Sequence, residues 1–287
     1  MRLFYRSDYE SFRMRNPDRA PGTCEWFLKH PQYLHWRNVE VSSLLWVSAN
    51  AGCGKSVLAK FLVDHLKSTT ARTSELVCHF FFKDDSEKQR DATLALNAVI
   101  HQIITNDKAL SRHTFPAYEA KGAMIAQEFG TLWKILETIA EDPEANNITC
   151  ILDGLDECET QSQLHLLTSL STLYASSAKY LSQKPFIKFV LFSRPENVIK
   201  VHFSRLAEIR LRGEDETEEI SKDIELVVRH SINNLGLNGR YRNEPASLMK
   251  KLVEGADGTF LWTTMVLQPV RISIKAIRHR LIIANYR

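Results

Sequence analysis

The chain has 287 residues, of which 44% are hydrophobic and 25% are charged, and its formal net charge is +3. This composition is typical of an ordinary folded protein, so we do not expect disorder, and the small charge gives no direct sign of nucleic-acid binding. The sequence shows no signal peptide, no repeat with a period of roughly 20–50 residues and no apolar run near the roughly 18 residues that span a bilayer. The length fits one large domain, or one domain followed by a small helical one.

The five cysteines indicate a compartment. Their number is odd and no two of them form a C-x-x-C pair, a pattern typical of reduced thiols rather than of a disulfide framework or a zinc site. We therefore expect a cytoplasmic protein. Cys53 is also a candidate reactive thiol, but a small residue that turns its backbone to a ligand is the simpler interpretation.

The first residues differ in composition from the rest of the chain. Residues 1–22 are polar, rich in arginine and interrupted by Pro17 and Pro21, so we expect a flexible lead-in. The segment at 23–36 is rich in aromatic residues and should pack on the main domain, which we place at residues 23–213.

A phosphate-binding loop follows the first strand. Residues 44–47 form a buried apolar run, and the apolar residues after the loop recur on one helical face. The letters between them match G-x-x-x-x-G-K-[ST], with Ala49 in place of the first glycine. Backbone N–H groups and the helix dipole would hold phosphate, Lys55 would reach the β- and γ-phosphates, and Ser56 would bind Mg²⁺. The predicted nucleotide-binding residues are Ala49, Asn50, Ala51, Gly52, Cys53, Gly54, Lys55, Ser56 and Val57.

Strands and helices then alternate. The strand-like runs and the helical patterns between them lie at 76–82, 90–104, 131–140, 148–152, 161–174, 186–192 and 207–211. This alternation predicts an α/β fold, a parallel sheet with helices on both faces.

An acidic cluster directly follows the strand at 148–152. Because ligands collect at the carboxyl ends of parallel strands, we expect Asp153 to hold Mg²⁺, usually through water. Asp156 or Glu157 would orient or deprotonate the attacking water. The alternative is an acidic turn in which one of these two residues only caps the next helix.

The strand at 186–192 ends in Ser193-Arg194-Pro195, which brings Arg194 to the same edge. A guanidinium there can sense or neutralise γ-phosphate charge, so we include it among the catalytic candidates. The alternative is an ion pair with a surface acid. The chain lacks the Asn-Lys-x-Asp motif that reads guanine in many GTPases, which favours ATP over GTP without deciding between them.

After Gly213 the pattern is helical only. We expect helices at 217–234 and 245–254 and from residue 259, within a short all-helical and incomplete segment at 214–268. The basic tail at 269–287 does not continue this pattern. We interpret it as a truncated or mispredicted C-terminus, with a membrane-surface helix as the rival interpretation.

Taken together, these motifs resemble the NACHT-type NTPases of the STAND class. The phosphate loop, the sequence LDGLDE at 152–157 and FSRP at 192–195 carry the resemblance, which covers about residues 20–268. The sequences GTCEWF at 22–27 and GTFLW at 258–262 are similar to the fungal branch, which includes heterokaryon-incompatibility proteins and relatives with ankyrin or WD repeats.

The resemblance implies a three-layer P-loop NTPase core in which the fourth strand lies between the first and the third. It also implies a signalling switch of the kind found in fungal non-self recognition and programmed cell death. Such a switch binds and slowly hydrolyses ATP, or GTP, with Mg²⁺ and self-associates in the triphosphate state. Family members usually add an effector and sensing repeats, which we do not see here, so those partners stay unknown; neither nucleic acid nor membrane contact is expected. A nucleotide-binding scaffold with little or no hydrolysis and a P-loop kinase are the alternatives.

Overall fold

A computed structural model of the chain describes residues 2–70, 73, 75–175, 185–204, 206–211, 217–234, 253, 255, 259–263 and 265–266. Most of the predicted helix at 245–254 and the whole tail at 269–287 lie outside the described residues. The chain divides into two compact units. Unit 1 comprises Met1–Asp18, Lys29–Ala49 and Lys55–Ile209, and unit 2 comprises Arg19–Leu28, Asn50–Gly54 and the chain from Arg210 onward.

The described residues form a five-stranded sheet. Its strands are β1 (Ser43–Ser48), β2 (Leu76–Phe81), β3 (Ile148–Asp153), β4 (Ile187–Ser193) and β5 (Ala207–Arg210). The order across the sheet is β2-β3-β4-β1-β5, and the pairs β2–β3, β3–β4 and β1–β4 are parallel. The prediction that the fourth strand lies between the first and the third is therefore confirmed.

Helices cover both faces of the sheet, because its strands are apolar on both sides. Every residue of β2, β3 and β4 is buried, as expected for parallel strands between two helical layers. The helices are α1 (Tyr9–Arg15), α2 (Pro31–Asn38), α3 (Lys55–Thr70), α4 (Ala92–Asn106), α5 (Phe115–Lys121), α6 (Phe129–Ala140), α7 (Thr160–Ala175), α8 (Asn197–Phe203) and α9 (Thr217–Asn234). One core cluster joins α4, α6 and α7 to one face, while α3 packs on β2, β3 and β4. This layering confirms the predicted α/β class.

The flexible lead-in predicted at residues 1–22 is corrected by the structure. Helix α1 lies within it, begins with Asp8 accepting a hydrogen bond from the Ser11 N–H, and buries Phe12. The buried Lys60 of α3 donates to the Asn16 carbonyl at 2.7 Å. The sequence pattern missed this helix because it has only seven residues, too few for a hydrophobic period to show.

The amino edge of the sheet holds two charges that are well paired: Lys188, which is buried, and Glu75, which is half-buried. The Lys188 Nζ donates to the carbonyls of Trp36, Arg37 and Val39 at 3.0, 2.9 and 2.6 Å. These carbonyls lie at the end of α2, where the helix itself leaves them without donors. Glu75 accepts two hydrogen bonds from the Arg37 guanidinium, both at 2.7 Å. Both charges therefore tie α2 to the strands.

All five cysteines lie within the described residues, where each is buried and outside any disulfide. Within the part of the chain that the structure describes, no helix combines the length and the apolar character needed to cross a membrane.

Candidate nucleotide site

The phosphate loop has the backbone that its glycines predict. Gly52 and Gly54 have φ values of +77° and +82°, in the left-handed region that favours glycine. Ala49 lies at the loop's start, where its N–H donates to the Ser193 carbonyl at 3.1 Å. Among the described residues the only non-glycine with positive φ is Cys24, so Ala49 needs no glycine-like backbone and its substitution for the first glycine of the motif is mild.

The first two residues of α3 bring the loop's charged and hydroxyl groups to the carboxyl edge of the sheet. The Lys55 Nζ donates to the Ala49 carbonyl at 2.8 Å, so its side chain turns back towards the end of β1. Ser56 and Val57 follow on the first turn, half-buried. In the loop itself, Cys53 is buried, with its Sγ 3.9 Å from the Ala51 carbonyl.

Asp153 is the most unusual charge of the site. It ends β3, is fully buried, and neither of its carboxylate oxygens makes a hydrogen bond of normal geometry. Burial raises the pKa of the Asp153 carboxyl to about 6, although the Ser56 hydroxyl and the Lys83 and Lys55 ammonium groups counteract part of this effect. A buried carboxylate without partners is costly, so this position is suited to a bound cation.

The residues present fit Mg²⁺. This ion is usually held by one or two carboxylates together with waters and substrate phosphates rather than by a dedicated protein cage. Asp153 offers two unpaired oxygens, and the Ser56 hydroxyl is close enough to affect its pKa. The described residues contain no group of three or more His, Cys, Asp or Glu that could hold a metal by themselves.

Asp156 and Arg194 contact each other. The Arg194 N–H donates to Asp156 Oδ1 at 2.9 Å, and the Arg194 Nε lies 3.2 Å from Asp156 Oδ2. The Asp156 side chain is only 5% exposed, whereas that of Arg194 is 54% exposed. Both oxygens of Asp156 are thus occupied, which argues against this residue as the base that deprotonates water. The alternative given for Arg194, an ion pair, is present, but its partner is an acid of the same cluster and is buried.

Glu157 is the more accessible acid of the cluster. It ends a 3₁₀ turn, Leu155–Glu157, which begins after Gly154. The φ of Gly154 is +73°, and a Cβ there would lie 3.0 Å from the Phe82 carbonyl, so only glycine fits. The Glu157 side chain is 25% exposed and pairs with Lys83 at 3.4 Å.

Lys83 was missed in the sequence analysis. It lies just beyond β2, whose Phe81 is opposite Asp153 in the parallel register. A lysine that follows a buried strand is a weak signal by itself. It becomes informative only when β2 is known to be the neighbour of β3, because the carboxyl ends of adjacent parallel strands meet at one edge.

Residues 22–194 match the protein-family model described as Nephrocystin 3, N-terminal. The chain belongs to the nephrocystin 3 N-terminal family. The matched range includes the phosphate loop, the acidic cluster and Arg194, and covers well over half of the 287 residues.

A known protein is similar over most of the chain. Vegetative incompatibility protein HET-E-1 of Podospora anserina is 27% identical over 251 residues, which are 85% of this chain and 18% of that protein. The chain thus spans less than a fifth of this relative's length. Together with the family match, this similarity confirms the predicted relationship to the NACHT-type proteins of the fungal branch.

Similar solved structures include an ORC2 protein and a domain of a replication initiation protein. The ORC2 protein of Aeropyrum pernix has a TM-score of 0.42 and 16% identity, covering 76% of this chain and 55% of that one. Domain III of DnaA from Thermotoga maritima has a TM-score of 0.42 and 12% identity, covering 86% and 83%. These similarities are weak, and the fold assignment rests on the strand order itself.

In unit 2, the GTFLW sequence of the fungal branch contacts the phosphate loop. The Phe260 N–H donates to the Gly52 carbonyl at 2.8 Å. A Cβ on Gly52 would lie 2.8 Å from the Leu261 Cβ, and one on Gly54 would lie 3.1 Å from the Phe260 ring. Gly52 is therefore required by packing as well as by backbone conformation, and Gly54 is required by its backbone conformation and packs closely against the Phe260 ring. The resemblance singled out this sequence but assigned it no contact.

The other sequence typical of the fungal branch, at 22–27, is bound to α9 through one buried acid. Asp223 Oδ2 accepts from the Cys24 N–H at 2.8 Å and from the Trp26 Nε1–H at 3.1 Å. Burial raises the pKa of Asp223, although these two hydrogen bonds oppose the shift. Residues 22–27 and α9 are therefore held together within unit 2.

Proposed function

We propose that this chain binds a nucleoside triphosphate with Mg²⁺, hydrolyses it slowly and acts as a signalling switch. The observation that carries the proposal is the buried Asp153, whose oxygens are unpaired at an edge that also holds Lys55 and Ser56. A charge left unpaired inside a protein is a candidate functional site. ATP is the preferred nucleotide and GTP the second candidate, because the sequence lacks a guanine-reading motif.

Each residue has a distinct role in this proposal. Lys55 exchanges its present acceptor, the Ala49 carbonyl, for the β- and γ-phosphates. Ser56 and Asp153 hold Mg²⁺, which neutralises charge on the phosphates when it is bound. Glu157 orients or deprotonates the attacking water, and Arg194 senses the γ-phosphate.

The biological role is proposed by similarity. HET-E-1 is named a vegetative incompatibility protein, so we infer a related role in fungal non-self recognition. Self-association in the triphosphate state, in the cytoplasm, is part of this proposal, with effector and sensor partners still to be identified. A scaffold that holds nucleotide without turnover is the second candidate, favoured by the contact between Glu157 and Lys83.

Replacing Lys55 tests nucleotide binding. We expect Lys55→Ala to weaken MgATP binding at least about 100-fold, because about 3 kcal/mol of charge-assisted contacts is lost. A titration by calorimetry measures this affinity. Lys67→Ala is the matched control, since Lys67 is an exposed lysine near the other end of α3, and it should bind as the unchanged protein does. Equal affinities in both variants would contradict the phosphate-loop assignment.

Phosphate release separates the two candidate functions. The unchanged protein should release phosphate from MgATP without any added acceptor. A scaffold would release none, and a kinase would transfer the phosphoryl group to its acceptor instead of releasing phosphate. GTP is titrated beside ATP to rank the two nucleotides.

A further inference from the structure

Lys83 occupies a position that the proposed function does not use. Its ammonium lies 3.4 Å from Glu157 Oε1, and it is one of the positive charges that lower the pKa of Asp153 against the effect of burial. The side chains of Lys83 and Glu157 are 26% and 25% exposed. The pair is therefore partly shielded from water, although both groups can still reach solvent.

Hydrogen bonds hold the backbone of both Lys83 and Glu157 in place. The Lys83 N–H donates to the Gln89 carbonyl at 3.0 Å, and the Lys83 carbonyl accepts from the Ser86 N–H at 3.3 Å, so a tight turn follows β2. Gln89 itself is fully buried. The Glu157 N–H donates to the Gly154 carbonyl at 2.7 Å. Only the two side chains need to turn for the contact to break.

The contact restrains Glu157, the carboxylate that the proposed function assigns to orienting or deprotonating the attacking water. A carboxylate held by an ammonium has fewer lone pairs for a water molecule, and turning towards a substrate means losing the charge attraction. We propose that Lys83 is a positioning residue that restrains Glu157 and so slows hydrolysis, while contributing little to nucleotide affinity. This inference rests on the proposed function, since it assigns a restraint to the proposed base.

The test compares Lys83→Gln with Lys83→Arg. Glutamine removes the charge, so single-turnover phosphate release at saturating MgATP should become about two- to fivefold faster, the range that ion pairs near a surface support. Arginine keeps the charge and should leave the rate close to that of the unchanged protein. MgATP affinity should stay within about twofold in both variants. Lys88→Gln, at an exposed lysine of the same turn, is the control and should change neither quantity.

A double variant connects the effect to Glu157. With Glu157→Gln as background, Lys83→Gln should give no further acceleration, because the restrained carboxylate is gone. Thermal unfolding of each variant shows whether it is folded. Slower hydrolysis in Lys83→Gln would overturn the proposal by showing that the pair aims Glu157 productively. An affinity loss above about tenfold would overturn it by showing that Lys83 binds phosphate directly.

Failure of the proposed function is recognised separately. In that case neither the unchanged protein nor Lys55→Ala would bind MgATP measurably. If only the restraint fails, the unchanged protein still binds MgATP, and the contrary result is confined to the Lys83 variants.

Discussion

The charged side chains at the two edges of the sheet differ in whether they have hydrogen-bond partners. At the amino edge, Lys188 donates to three carbonyls and Glu75 accepts two hydrogen bonds from Arg37. At the carboxyl edge, Asp153 is fully buried, but neither of its oxygens makes a hydrogen bond of normal geometry. Strand β4 connects the two edges, with Lys188 near its start and Arg194 just beyond its end.

This difference separates structural charges from functional ones. A buried charge with complete partners ties elements together, and removing one member leaves the others uncompensated. A buried charge without partners lowers stability unless a ligand binds it. The amino edge should therefore respond to mutation through stability, and the carboxyl edge through ligand binding.

Asp153→Asn should give the largest effect and the sharpest contrast. We expect Mg²⁺-dependent ATP affinity to fall at least about 100-fold, because roughly 3 kcal/mol of ligand contacts is lost. The free energy of unfolding should stay the same or rise, since an unpaired buried charge is removed. Calorimetry and urea unfolding measure the two quantities. A clear loss of stability would show that Asp153 is a structural charge after all, and the contrast between the edges would disappear.

Lys188→Met should give the opposite result. It leaves the carbonyls of Trp36, Arg37 and Val39 without their donor, so the free energy of unfolding should fall by about 2–3 kcal/mol. MgATP affinity should remain within about twofold, because the change lies at the far edge. Lys200→Met on α8, at an exposed lysine, is the matched control and should alter neither. Equal stability of the two variants would mean that water replaces the ammonium at the end of α2.

The sequence was sufficient for what depends on local pattern. The predicted strand at 148–152 differs from β3 by one residue, and the acids that follow it lie at the expected edge. Strand order came from the family resemblance, since periodicity does not contain it. Lys83 was missed because its meaning depends on the pairing of β2 with β3, which neither the periodicity nor the resemblance supplied. The Asp156–Arg194 contact was missed because it joins residues 38 positions apart. The contact of Phe260 with Gly52 joins still more distant segments, which no local pattern can reveal.

Of Asp153, Lys188 and Arg194, Arg194 gives the smallest predicted effect and the finest test of the comparison, because it is a charge of the carboxyl edge that does have a partner. Its Nε lies 3.2 Å from Asp156, and its side chain is 54% exposed. A ligand contact made by such a group replaces an existing ion pair, so the net gain in binding free energy is modest.

Arg194→Ala should therefore lower the ratio of triphosphate to diphosphate affinity by about 3- to 10-fold, or roughly 0.7–1.4 kcal/mol, with little change in diphosphate affinity. Asp156→Asn should lower the same ratio less, since it keeps a partner for the Arg194 N–H and loses only the charge.

Arg229→Ala is the control, because Arg229 is similarly exposed at 58% and also pairs with an acid, Glu225. Competition titrations with both nucleotides measure the ratios. An unchanged ratio in Arg194→Ala would show that its pair with Asp156 is structural, like those of the amino edge. In that case, structural and functional charges in this sheet would differ in whether they have a partner, and not in the edge at which they lie.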